Sequence, residues 1–204
     1  MNNSIIPIKH ESFIGTYLDA FATVLKTLSD KHANAIIKGL IELRNHGGRL
    51  AVMGMGGSAA NASHFTNDLR KLAKIDAYCP TDNVAELTAR INDEGVNTVF
   101  VDWMRTAKWC PLDAIFILSV GGGSVSPPVS VNLIQALDYA KSLHCKVYGI
   151  VGRPFGHTAM HADAVVILPD CAPNWQTPFA ESLQSVVCHG LVSHPSLKLN
   201  PTKW

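Results

Sequence analysis

Neither sign of charge predominates in this chain of 204 residues: 17 basic residues stand against 16 acidic ones, for a formal net charge of +1. No basic stripe stands out, so a long phosphate backbone is a poor partner and no nucleic acid is expected. Long apolar runs are also missing. No stretch approaches the roughly 20 apolar residues needed to cross a bilayer. Met1 to His10 carries no charged segment, apolar run or small-residue cleavage site of a secretory signal. The expectation is a soluble, cytoplasmic protein with no membrane partner. Cysteine is scarce and badly spaced for pairing: Cys79, Cys110, Cys145, Cys171 and Cys188 contain no C-x-x-C pair. That spacing argues against a disulfide framework and a thiolate zinc site. Cys145 and Cys188 lie in apolar runs and read as small core residues.

What the chain has instead is apolar material arranged periodically. The hydrophobic fraction of 47% against 16% charged is enough to bury a sizeable core. Phe13, Tyr17, Leu18, Phe21, Val24, Leu25 and Leu28 recur at helical spacing, as do Ile36, Ile37, Leu40, Ile41 and Leu43 before Gly47-Gly48. Two helices before the first strand form an extension whose apolar face needs the sheet or another subunit as partner. Beyond it strands and helices alternate. Leu50 to Gly54, Asp76 to Cys79, Ala114 to Ser119, Lys146 to Val151 and Ala164 to Leu168 read as short buried strands. Ser58 to Lys74, Ala85 to Ile91, Thr98 to Arg105, Asn132 to Leu143 and Pro178 to Ser193 read as helices. Short apolar strands separated by helices imply an α/β fold, a doubly wound parallel sheet covered on both faces. With no repeat or linker, one domain over residues 1–204 is expected, of which about 10–47 is the helical extension.

In such a sheet ligands bind beyond the carboxyl ends of the strands. Two glycine-rich turns fall there. Gly54-Met-Gly56-Gly57-Ser58 leads from a strand into a helix, and Ser119-Val-Gly121-Gly122-Gly-Ser124 leads through Pro127-Pro128 to Ser130 and the next helix. Glycines let backbone N–H groups approach an anion, a helix N-terminus adds partial positive charge, and the serines add hydroxyls. Neither turn is a G-x-x-x-x-G-K-[ST] loop, because the lysine is missing, and neither has the full dinucleotide spacing. No nucleotide cofactor is expected. A lysine-free, serine-rich cradle suits a phosphomonoester better than a triphosphate.

The run from Gly54 through Ser58 and His64-Phe to Asp68-Leu resembles the first motif of SIS (sugar isomerase) domain proteins. It is most similar to the phosphoheptose isomerases, whose pattern is approximately G-N-G-G-S…H-F-x-x-E-L. Asn92-Asp93-Glu94-Gly95, the Ser119 loop, Gly149-Ile-Val-Gly152-Arg153 and the ending Glu181…Gln184…His189 follow in the family's order, from about Tyr17 to Ser193. The resemblance implies a flavodoxin-like SIS domain and a homotetramer with active sites between subunits. The extension would serve oligomer packing. It implies conversion of sedoheptulose 7-phosphate to a heptose 7-phosphate, with zinc bound in some members. Carried over, Gly56, Gly57, Ser58, Asp93, Ser119, Gly121, Gly122, Ser124 and Ser130 would bind substrate and its phosphate. His64, Asp68, Glu181 and His189 would hold the metal, with Asp68, Glu181 and His189 also catalytic.

Ketose-to-aldose isomerisation moves a proton between adjacent carbons through an enediol, so it needs a base, an acid and stabilisation of an oxyanion. His64 and Asp68, four apart on a helix, share a face. Glu181 and His189 are eight apart, about 12 Å along a straight helix. They meet at one metal only if the helix begins after Glu181 or if they come from different chains. Three positions depart from the family. Asp68 stands for a glutamate. The family's S-T-S-G-N-S loop is replaced by Ser119-Val-Gly-Gly-Gly-Ser124 with an insertion after it. Glu181 stands for a glutamine and favours a bound cation. The rival expectation is a non-catalytic SIS protein: a sugar-phosphate-sensing regulator, or one that binds a replication-initiation factor. His144, His157, His161 and His194 read as surface or loop residues.

Overall fold

The computed structural model describes residues 12–203. The readings made on Met1 to His10, and the first residues of the extension, lie outside them. The elements run α1 (Phe13–Lys26), α2 (Ala33–Asn45), β1 (Arg49–Met53), α3 (Gly57–Ala73), β2 (Asp76–Tyr78), α4 (Val84–Asp93), α5 (Val99–Thr106) and β3 (Ala114–Ser119). The second half follows with β4 (Ser124–Val125), β5 (Pro128–Val129), α6 (Val131–Ser142), β6 (Lys146–Val151), α7 (His157–His161), β7 (Ala164–Ile167) and α8 (Gln176–Ser193). Strands β2-β1-β3-β6-β7 form one sheet in that order, every pairing parallel. The α/β doubly wound reading therefore stands, with α1 and α2 ahead of the sheet. Among the described residues no helix is long and apolar enough to cross a membrane.

The two faces follow from the period of two along each strand. Leu50, Val52, Phe116, Leu118 and Ile150 point to one side, where α2, α3 and α8 cover them with Ile36, Leu40, Phe65, Leu69, Leu183 and Cys188. Ala51, Met53, Ile115, Ile117 and Val147 point to the other, under Phe100 and Met104 of α5 and Leu133 and Leu137 of α6. Phe65 meets Phe116 edge to face at 5.1 Å in the middle of the first layer. Cys145 and Cys188 are buried as expected, and burial pushes the Cys145 thiol up to about 12.

The helix α2 belongs to this cover: Ile36 and Leu40 are fully buried, and a side chain at Gly39 would collide with the Tyr148 hydroxyl. The helix α1 is the outer one. It has no buried residue and touches the body through Tyr17 and Phe21, whose rings lie 4.9 and 5.1 Å from Phe179. Phe13, Ile14, Leu18 and Leu25 remain exposed.

Two elements fall outside the sequence reading. Strands β4 and β5 pair as an antiparallel hairpin inside the insertion after Ser119, and α7 occupies the stretch after Gly156. With two residues per strand and five in the helix, neither carries a periodic signal to read.

Candidate active site

The strand order brings the two glycine turns together. Each leaves the carboxyl end of a central strand, β1 or β3, and those strands are neighbours. Their helices diverge, α3 to one face and α6 to the other. That divergence is the switch point at which open α/β sheets bind ligands. Asn132 links the two sides, its amide lying 3.3 Å from Met55 Sδ in the first turn. It is almost fully buried, and nothing in the sequence marked it.

The first turn is tight because Gly54 lies against the helix it precedes: a Cβ there would sit 2.5 Å from the Ser58 carbonyl oxygen. Gly56 adopts φ +61°, a region L side chains avoid, and α3 begins at Gly57 with no side-chain cap. Ser58 is only 2% exposed, so its hydroxyl faces inward. The position over Gly57 is taken by Glu181 of α8, whose carboxylate fills the space a Cβ at Gly57 would need. Asn61, one turn into α3, donates to the Glu181 carbonyl at 2.8 Å and to Gln184 Oε1 at 3.1 Å. These bonds fix α8 against α3. Gln184 is fully buried, and its Nε2 has no partner among the described residues.

Further along the same helix pair, His64 and Asp68 of α3 meet His189 of α8. The two imidazole Nε2 atoms are 3.0 Å apart, and Asp68 Oδ2 lies 3.4 Å from His64 Nε2 and 3.7 Å from His189 Nε2. Both histidines are about half exposed, whereas the Asp68 side chain is 14% exposed and also accepts from the Asn67 amide. Asp68 thus turns to the histidines, and Arg70 pairs with Asp76 instead. Zn–N bonds of about 2.0 to 2.1 Å in a tetrahedron hold two ligand atoms about 3.3 Å apart. The His64–Asp68–His189 triangle is close to such a face, and both imidazoles reach solvent, so these donors fit a zinc ion.

Glu181 does not complete that set within one chain. The helix α8 is continuous from Gln176 to Ser193, which removes the possibility that it begins after Glu181. Among the described residues the metal-capable group is His64, Asp68 and His189 alone. Asp93 is also apart from it. It ends α4, is exposed, and takes the Asn92 amide at 2.6 Å.

The second turn spends its polar groups on itself and on α7. Ser119 Oγ accepts from the Gly122 N–H at 3.0 Å and is nearly buried. The Gly122 carbonyl accepts from the backbone N–H and hydroxyl of Thr158 at 2.8 and 2.9 Å, and the Gly123 carbonyl from the His157 N–H at 2.9 Å. Gly122 and Gly123 both have positive φ, and a Cβ at Gly123 would press on Ile134. Ser124 begins the hairpin. Ser130 precedes α6 in a left-handed conformation without capping it. His157 is more than a loop residue: it anchors α7 and pairs with Asp138 at 2.7 Å. Two concavities lie elsewhere, one of about 320 Å³ between α2 and α8 and one of about 430 Å³ between α5 and α6. The first is mainly apolar, and neither touches the glycine turns.

No protein-family model matches the chain. It is 33% identical over 163 residues to a lincomycin biosynthesis protein of Streptomyces lincolnensis, covering 76% of this chain but 58% of that protein's length. It is 30% identical over 160 residues to the phosphoheptose isomerase of Chlorobaculum tepidum, covering 75% of this chain and 69% of that one. Among solved structures, a phosphoheptose isomerase from Francisella tularensis superposes with a TM-score of 0.78 at 20% identity, over 91% of this chain and 97% of that chain.

Proposed function

The chain belongs to the phosphoheptose isomerase family, and from that premise we propose that it is an aldose–ketose isomerase acting on a sugar phosphate. The substrate we assign is sedoheptulose 7-phosphate, giving D-glycero-D-manno-heptose 7-phosphate. The observation that carries this is the His64–Asp68–His189 triangle, whose two α3 members lie seven and eleven residues beyond Gly57 and whose third is brought to them by α8. At 1.5 Å per residue the triangle begins about 10 Å from the turn. A sugar lying between the two presents its oxygens to both.

Proton transfer falls to the residues at that end. One carboxylate, Asp68 or Glu181, takes the proton from the carbon beside the carbonyl, and an imidazole, His189 or His64, gives one to the neighbouring oxygen as the enediol forms. Asp68 reaches both imidazoles despite its shorter side chain, so it also orients them. A zinc ion held by His64, Asp68 and His189 would polarise the carbonyl and adjacent hydroxyl. Glu181, over Gly57, lies at the turn end of the same helix pair, where it would face the substrate chain.

The exposure of both histidines supports a site completed by a second subunit, with Asp93 and a second Glu181 supplied across the interface. The exposed apolar stripe of α1 supports the same assembly, a homotetramer of single-domain chains in the cytoplasm, with the 10–47 extension used in packing. A different phosphosugar is the second reading, favoured by the hairpin inserted after Ser119 and by the hydroxyls missing at Val120 and Gly121. Incubation with sedoheptulose 7-phosphate, with and without zinc, tests the assignment. Aldose 7-phosphate should form. No turnover in either condition, at concentrations where the oligomer is present, refutes it.

A further inference from the structure

A sugar phosphate brings a dianion, and the turn first marked as its cradle is occupied by the chain's own carboxylate. Glu181 sits over Gly57, and Asp68 lies further along the same helix pair. Like charges held that close repel each other, more strongly where the protein displaces solvent. The phosphate therefore belongs elsewhere on the ligand edge. The second turn is the natural place, but it has few free donors: Ser119 bonds within its own loop, and positions 120 and 121 carry no hydroxyl.

A cation stands beside it. The segments that leave the carboxyl ends of the five strands are 54–56, 79–83, 119–130, 152–156 and 168–172. Arg153 is the only lysine or arginine in any of them. It lies in the turn after β6, and that turn is bolted to the second glycine loop. The Gly152 N–H donates to the Val120 carbonyl at 3.0 Å, and a Cβ at Gly156 would collide with the Gly121 carbonyl. The Gly156 N–H closes the turn on the Arg153 carbonyl. Arg153 is exposed, and among the described residues its guanidinium has no hydrogen-bonded or ionic partner. Arg44, Arg49, Arg70, Arg90 and Arg105 are all tied to carbonyls or carboxylates.

We propose that Arg153 is the phosphate-binding residue of this site, gripping two phosphate oxygens from the β6 side of the second glycine turn. A guanidinium fork matches two phosphate oxygens in a way a point charge does not. The substrate then lies with its phosphate over β3 and β6 and its carbonyl end toward Glu181 and the histidine triangle. The inference rests on the reading of the ligand as a sugar phosphate.

The test uses the full chain with Arg153→Met and Arg153→Lys, exposed positions where folding is not at stake, and inorganic phosphate as the probe. Calorimetric titration should show phosphate binding to the wild type, about ten- to a hundred-fold weaker binding to R153M, and an intermediate value for R153K. With sugar phosphate, R153M should raise KM by a similar factor, with the smaller share of the change in kcat. KM for the unphosphorylated heptulose should be the same in both proteins. Unchanged phosphate affinity in R153M, or no phosphate binding by the wild type, overturns the proposal. If the wild type turns over no sugar phosphate yet binds phosphate through Arg153, the enzymatic reading falls and this one stands.

Discussion

Replacing Asp113 by alanine tests how the sheet holds its two central strands in register beneath the site. Asp113 directly precedes β3, and its side chain is 2% exposed. Its carboxylate accepts from the Arg49 backbone N–H at 2.9 Å, Arg49 Nε at 3.1 Å, Arg49 Nη2 at 2.6 Å and the Cys110 N–H at 2.9 Å. Removing one partner of a buried pair costs about 3 to 5 kcal/mol. Arg49 keeps the Ala107 and Lys108 carbonyls as acceptors, and its side chain is 29% exposed. The low end applies, about 3 kcal/mol. With a urea slope of about 2 to 3 kcal/mol/M, the midpoint falls by about 1 to 1.5 M, measured at one protein concentration because assembly also stabilises.

The same pair gives the pH dependence. Burial pushes the Asp113 carboxyl up, but the Arg49 and Cys110 hydrogen bonds and the Arg49 charge outweigh it and hold the pKa below the ordinary value. A carboxyl depressed in the folded state stabilises fully above its unfolded pKa of about 3.9, and that contribution disappears as pH falls through the folded value. The gap between wild type and D113A should therefore narrow on acidification below about pH 4. A midpoint unchanged at pH 7, or a gap constant from pH 7 to pH 3, refutes the reasoning. Turnover per folded molecule should not change, because the pair lies at the end of the sheet opposite the glycine turns.

Two further substitutions probe the site. His189→Ala should lower kcat by about 10² to 10⁴ while inorganic phosphate still binds, and parallel loss of phosphate binding would make His189 structural. Gly54→Ala forces a Cβ against the Ser58 carbonyl and Ala59 amide. Chemical denaturation should show a loss of about 1 to 3 kcal/mol, whereas an unchanged midpoint would mean that the turn has room to spare.

By itself the sequence determined the local patterns. The short unbroken apolar runs at Leu50–Met53 and Ala114–Leu118, each ending in a glycine turn, and the helical spacing around Phe65 and Leu69 specify strand, turn and helix, because those preferences act over a few residues. The glycine turns and the His64–Asp68 pair are of the same kind: fixed backbone angles and a fixed i, i+4 geometry. The tertiary structure decided which of these meet. Pairing of β1 with β3 set the two turns side by side, and the packing of α8 on α3 brought His189 to His64 and Asp68. That packing also carried Glu181 to Gly57 instead, since one straight helix cannot present residues eight apart to a single point. Arg153 and Asn132 gained their positions through strand order and loop-to-loop hydrogen bonds, which bind residues far apart in the chain and leave no periodic trace in it.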